Sequence, residues 1–233
     1  WGDRGELPPY GGLLIVIPLL RLKGPHRSGT IRVLAAAAAI LFTAGIRWGW
    51  FALGGGLMGV VMALIVFVGG YNSDRIKTWL NPWWDPGDKG YQIVQSLYAV
   101  ASGGLTGLGF GQSRQKYLYL PEEQNDFIFA IICEELGFIG AALIIILFAL
   151  LIIRGYWLAL HARDRFGSLL IVGITTLLAV QVFLNMAVVP NVIPATGIAL
   201  PFFSYGGAAL LIQLAEIGII LSVSRQIPAP KKG

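Results

Sequence analysis

Long apolar runs dominate the hydrophobic pattern of this chain, and period-two alternation does not. Residues 50–70, 137–158, 168–189 and 198–222 form four mostly apolar stretches, each about 20 residues or a little longer, enough to span a bilayer as a helix. Two shorter runs, residues 10–22 and 31–46, read as short or tilted helices packed against the others. Arg21 and Lys23 weaken the first of these. The pattern predicts an all-α fold: a polytopic transmembrane helical bundle, one membrane domain over residues 1–233 with about five to six spans.

One connection departs from this regime. Residues 71–125 form a long loop, and connections of that length are usually functional or disordered. Its aromatic and aliphatic content argues for order. Ile93, Val94, Leu97 and Tyr98 recur at helical spacing, which predicts short amphipathic helices lying in the membrane interface. Trp79, Trp83 and Trp84 fit an interfacial aromatic belt.

Charge sets an orientation. The turn after residue 158 carries Arg163 and Arg165, with Arg154 close by, against Asp164 alone. The tail 223–233 carries Arg225, Lys231 and Lys232 and no acid. The positive-inside rule places both in the cytoplasm, which makes loop 71–125 and residues 190–201 extracytoplasmic. Residues 23–28, with Lys23, His26 and Arg27, then fall outside and run against the rule, so another reason for their charge is needed.

Composition supports the membrane reading. The chain is 56% hydrophobic and 12% charged, about half the charged share of a soluble domain. The net charge of +5 comes from dispersed basic residues and forms no stripe suited to nucleic acid. The single Cys133 excludes an intramolecular disulfide and any multi-cysteine metal site, and reads as a small buried residue. The opening residues lack the pattern of a signal peptide and do not begin with methionine, so a piece of a longer protein is expected.

Candidate chemistry gathers between residues 102 and 137. The glycine-rich run Ser102–Gly111 lacks the preceding strand and the ending of a nucleotide loop. A re-entrant turn and a phosphate contact both remain open for it. Asp126 opens the apolar run 127–132, where a helix cap and a functional carboxylate at membrane depth are both sound readings. On a helix, Asp126, Cys133 and Glu134 would share one face and Glu135 would point elsewhere.

Three of these stretches, together with a fourth near the start, carry a resemblance. Gly90-Tyr-Gln-Ile-Val-Gln-Ser96, residues 102–137, Pro194-Ala-Thr-Gly-Ile-Ala-Leu-Pro-Phe-Phe-Ser-Tyr-Gly-Gly207 and Pro25-His-Arg-Ser-Gly-Thr30 resemble the SEDS family (shape, elongation, division and sporulation). The likeness covers nearly the whole chain and is greatest to the FtsW and SpoVE branch. Family members carry further helices ahead of the matched part, and Gly24 stands where the family usually has an acid or amide.

The resemblance implies polymerisation of lipid II into glycan strands at the outer face of the bacterial cytoplasmic membrane, in division or sporulation. The family's essential aspartate falls on Asp126. A carboxylate there suits the general base that a sugar hydroxyl needs before it can attack. Pyrophosphate leaves readily, so cations or a metal can replace the second carboxyl that glycosidases use. Arg114, Lys116, His26 and Arg27 are the candidates, and their charge would account for the basic outer loop. Glu134 is placed to orient Asp126, to tune it, to help hold a divalent cation (Mg or Mn), or to make a structural hydrogen bond.

Tyr91, Gln92, Ser204 and Tyr205 are candidates for the substrate groove, while Gly206 and Gly207 suit close helix packing. Gln213 and Glu216 suit hydrogen bonds between helices. The implied partners are a class B penicillin-binding transpeptidase and other divisome or sporulation membrane proteins. A lipid II flippase and a scaffold for the transpeptidase are the rival readings.

Overall fold

A computed structural model describes residues 28–45, 73–113 and 126–227. Among them every regular element is helical: α1 (Ser28–Thr43), α2 (Ser73–Leu80), a 3-10 turn (Pro82–Trp84), α3 (Tyr91–Gly103), α4 (Ile128–Leu160), α5 (Arg165–Val188) and α6 (Gly207–Ser224). Helices α4, α5 and α6 are long and apolar enough to cross a membrane. The expected spans at 10–22 and 50–70 lie outside the described residues. The run at 31–46 forms α1, whose 16 residues extend only about 24 Å, short of the roughly 30 Å hydrocarbon core. It lies against α5, where a Cβ added at Gly173 would come 2.8 Å from Ile40 Cδ1.

The outer surface is inverted relative to a water-soluble protein. Phe138, Ile139, Leu143, Ile146, Leu147, Leu150 and Ile153 are exposed along the second half of α4. In water such a stripe would aggregate, whereas in lipid it meets its own kind. One buried core gathers Leu158 and Ala159 with Ile171, Val172, Ile174 and Ile220. A second sits at the start of α4, where Phe127, Phe129, Ala130, Ile131 and Ile132 pack with Ile93, Val188, Val189 and Leu200. The predicted amphipathic segment is α3. Its Ile93 and Val94 are buried in that core while Tyr98 is exposed, so packing against α4 orients it.

Helix α5 starts where its chemistry dictates. Asp164 is the N-cap, and its Oδ2 accepts from the Gly167 amide at 2.9 Å. This satisfies a donor that the first helical turn leaves unpaired.

Helix α4 has a break that the apolar pattern hinted at. Gly137 adopts φ 66° and ψ −167°, which separates a buried first segment from the long lipid-facing one. The predicted start of this span, residue 137, is the break; the helix itself begins earlier, at Ile128. A break frees carbonyls before it and amides after it, and membrane interiors supply no water for them. The glycine-rich run supplies the partners instead. Leu108 N donates to Glu134 O and Gly109 N to Glu135 O, both at 3.0 Å. In return Phe138 N donates to Gly104 O at 2.9 Å and Ile139 N to Leu105 O at 3.2 Å.

Only glycine permits that approach. A Cβ at Gly103 would lie 2.0 Å from Cys133 O, and one at Gly107 would lie 2.1 Å from Glu135 O. The amides of Leu108 and Gly109 serve α4, so this part of Ser102–Gly111 is a backbone dock.

The last span also needs correction. Helix α6 begins at Gly207, so residues 198–206 of the expected span are not helical. Pro201 disfavours the α conformation in the residue before it, and Phe202 takes φ 64°. Among the described residues nothing packs closely on Gly206 or Gly207: the nearest atom to a Cβ at Gly206 is Ala209 Cβ at 3.6 Å, and Gly207 meets nothing within 4 Å.

The dock gives a direct test. Gly107→Ala combines a φ of +78° with the overlap on Glu135 O, and is expected to cost about 2 kcal/mol or more. Gly104→Ala meets open space at φ +53° and should cost about half as much, from backbone strain alone. Melting temperatures in detergent compare the two; equal losses would refute the dock.

Candidate active site

Residues 189–206, between α5 and α6, have no regular structure, so their backbone polar groups must find partners elsewhere. Side chains from four helices provide them. Ser96 Oγ of α3 donates to Val189 O at 2.9 Å. Trp79 Nε1 of α2 donates to Asn191 O and Val192 O, each at 3.2 Å, and Asn191 Nδ2 answers to Trp79 O at 3.0 Å. Asn191 accommodates this at φ 58°, a conformation asparagine tolerates better than most residues. A guanidinium N–H of Arg75 reaches Ala195 O at 3.0 Å. From α5, Asn185 Nδ2 donates to Ile198 O at 2.7 Å and Gln181 Nε2 to Ala199 O at 2.9 Å. From α6, Gln213 Oε1 accepts from Phe202 N at 2.8 Å.

Asp126 sits beside this segment. It lies half-buried in the turn ahead of α4, and its main-chain carbonyl accepts from Asn185 Nδ2 at 2.8 Å. Its carboxylate faces Gly197, where an added Cβ would stand 3.3 Å from Oδ2. The N-cap position itself falls one residue later, to Phe127, which has no side-chain acceptor. Since Asp126 precedes the helix, the helical-face argument that joined it to Cys133 and Glu134 does not apply.

Glu134 is 1% exposed and accepts hydrogen bonds from Ser113 Oγ and from Ser102 Oγ, the latter at 3.4 Å. It ties both ends of the glycine-rich run to α4, which fits the structural role among its four readings. Glu135, expected to point elsewhere, is also buried, and its Oε1 has no hydrogen-bond partner among the described residues.

Tyr91 and Gln92 are half-buried in the first turn of α3, Ser204 is half-buried, and Tyr205 is 80% exposed. Arg114, Lys116, His26 and Arg27 lie outside the described residues. Among the described residues no group of three His, Cys, Asp or Glu side chains is arranged to hold a metal.

The polar residues of the last span divide. Gln213 bonds a loop amide and not a neighbouring helix. Glu216 of α6 lies within electrostatic reach of Arg32 on α1, which in turn donates to Gln181 Oε1 of α5 at 3.1 Å. Sequence reading missed Asn185, Gln181, Ser96 and Arg75, because amide and hydroxyl residues in apolar spans give no sign of which distant carbonyl they reach.

Comparison with known proteins bears on what this arrangement serves. The family model described as the cell cycle protein family FtsW/RodA/SpoVE matches residues 2–228. The chain belongs to that family. It is 47% identical over 224 residues to stage V sporulation protein E of Bacillus subtilis, covering 95% of this chain and 60% of that protein. It is 42% identical over 219 residues to the probable peptidoglycan glycosyltransferase FtsW of Geobacter sulfurreducens, covering 94% and 59%.

Among solved structures, a chain from a work titled "Structural coordination of polymerization and crosslinking by a peptidoglycan synthase complex" aligns with a TM-score of 0.75. It has 28% identity and covers 95% of this chain and 62% of that one. The rod shape determining protein RodA of Thermus thermophilus aligns with a TM-score of 0.63 at 26% identity, covering 97% and 59%. The chain therefore spans about 60% of the length of the curated relatives it matches. As a member of this family it is a helical membrane protein.

The clamp on residues 189–206 is testable by hydrogen exchange. Trp79→Phe keeps the aromatic bulk and removes the indole donor to Asn191 O and Val192 O, a loss of about 1 kcal/mol. Faster amide exchange is expected at residues 191–193, with α5 unchanged; exchange rates equal to those of the parent would refute the clamp.

Proposed function

We propose that this chain is the part of a peptidoglycan glycosyltransferase that joins lipid II units into glycan strands, with Asp126 as general base. The observation that carries the reading is the setting of Asp126: half-buried at one end of the bundle, its carboxylate turned toward Gly197 in an irregular segment that six side chains hold in place. The names of the relatives supply the reaction class.

In the reaction, an acceptor sugar hydroxyl gives its proton to an Asp126 carboxylate oxygen as its own oxygen bonds the anomeric carbon of the donor. The bond from that carbon to undecaprenyl pyrophosphate breaks on the opposite face, and the pyrophosphate leaves with the electron pair, inverting the centre. Arg114, Lys116, His26 and Arg27 are the cations we assign to the departing charge. Tyr91, Gln92, Ser204 and Tyr205 are assigned to the groove that takes the sugars. A divalent cation is not required by this scheme.

Orientation follows from the charges at the two ends. Arg154, Arg163, Arg165 and Arg225 lie at or near the end where α4 meets α5 and α6 finishes, opposite the end that holds Asp126. The positive-inside rule then puts Asp126 and residues 189–206 on the extracytoplasmic side, where lipid II is consumed. The synthase complex of the structural neighbour supports a class B penicillin-binding transpeptidase as partner, alongside division or sporulation membrane proteins.

The deciding assay is polymerisation of purified lipid II by the intact protein in detergent. Asp126→Asn and Asp126→Ala are each expected to lower the rate by about 100-fold or more while the melting temperature is kept. Glycan product from either variant near the parent rate would sink the assignment. Because detergent removes any need to flip the substrate, a parent protein that forms no product there would favour the transporter reading.

A further inference from the structure

Asn185 differs from the other residues that hold the 189–206 segment. Its side chain is 1% exposed, on α5, and its Nδ2 serves two carbonyls: Asp126 O at 2.8 Å and Ile198 O at 2.7 Å. One amide group thus joins the main chain of Asp126 to the segment its carboxylate faces. Ile198 adjoins Gly197, whose φ of +67° and missing Cβ let the backbone stand against Asp126 Oδ2.

The oxygen of the same amide sharpens the point. Oδ1 is buried and has no hydrogen-bond partner among the described residues. A buried acceptor left unpaired destabilises a fold, and an apolar side chain of the same shape would carry no such penalty. An apolar isostere would lift that penalty but would leave the carbonyls of Asp126 and Ile198 without their donor.

We propose that Asn185 is a positioning residue for Asp126, acting with Gly197: Asn185 sets the main chain of Asp126, and the bare Cα of Gly197 sets how close the carboxylate lies to residues 194–198. The proposal rests on Asp126 being the general base. A base must stand within hydrogen-bond reach of the hydroxyl it deprotonates, and small displacements in such contacts are costly to rate. Asn185 touches no reacting atom; it fixes where the reacting carboxylate is.

Two variants test it in the intact protein, with lipid II polymerisation followed as kcat, KM and the acid limb of the pH profile. Asn185→Leu is nearly isosteric and removes both donors. Its kcat is expected to fall by about 10- to 100-fold with KM within about twofold of the parent, and the acid limb is expected to move. Gly197→Ala leaves Asn185 in place and pushes a methyl toward Oδ2; kcat is expected to fall about tenfold, again with a moved limb.

If Asn185→Leu does not fold, Gly197→Ala decides alone. Kcat within about twofold of the parent overturns the proposal, and so does a fall in kcat with the acid limb unmoved, which a merely structural role would give. Asp126→Asn, run in parallel, separates the two levels. Should it keep the parent rate, the general-base assignment itself has failed and not only its positioning.

Discussion

The constraint on which this structure depends is that no peptide group in a bilayer can be left without a partner. Straight helices meet it internally, and most of the described residues lie in helices. Among the described residues, two interruptions are closed by partners from elsewhere in the fold. At Gly137 the breach is closed by a second backbone: four amide–carbonyl bonds between α4 and the glycine-rich run replace those the helix loses. At residues 189–206 it is closed by side chains from α2, α3, α5 and α6, with Arg75 and Trp79 reaching in from the loop side.

Both repairs converge on one end of the bundle. The docked glycine-rich run fixes the first segment of α4, and Glu134 ties it further through Ser102 and Ser113. That segment begins just after Asp126. The clamped loop meets the carboxylate at Gly197. The half-buried Asp126 thus stands between the start of the docked helix segment and the clamped loop, the setting on which its proposed role rests. The irregularity that costs helix hydrogen bonds also creates a wall of carbonyls and bare glycine that no straight helix can offer.

Legibility differed between the fold and the site for a physical reason. The spans at 137–158 and 168–189 were readable because hydrophobic length is a local property, and α4 and α5 cover them. The span at 198–222 was misplaced at its start. Apolar composition cannot distinguish a helix from an irregular segment whose amide is captured by Gln213. Asp126 drew attention through its place in the resemblance, yet the sequence suggested a cap that Phe127 occupies instead. The glycine run was recognised as unusual, while its partner, the broken α4, was not visible from either stretch alone.

By itself the sequence determined that this protein lives in a membrane, that it is built of helices, and which carboxylate stands at the edge of an apolar run. Those follow from the water-to-lipid transfer of individual residues, which needs no partner. Only the tertiary structure decided that Gly103 and Gly107 meet α4, that residues 198–206 leave the helix, and that Asn185 links Asp126 to Ile198. Such contacts join residues far apart in the chain. Whether a buried amide or a missing Cβ matters depends on the atom across from it, and sequence does not say which atom that is.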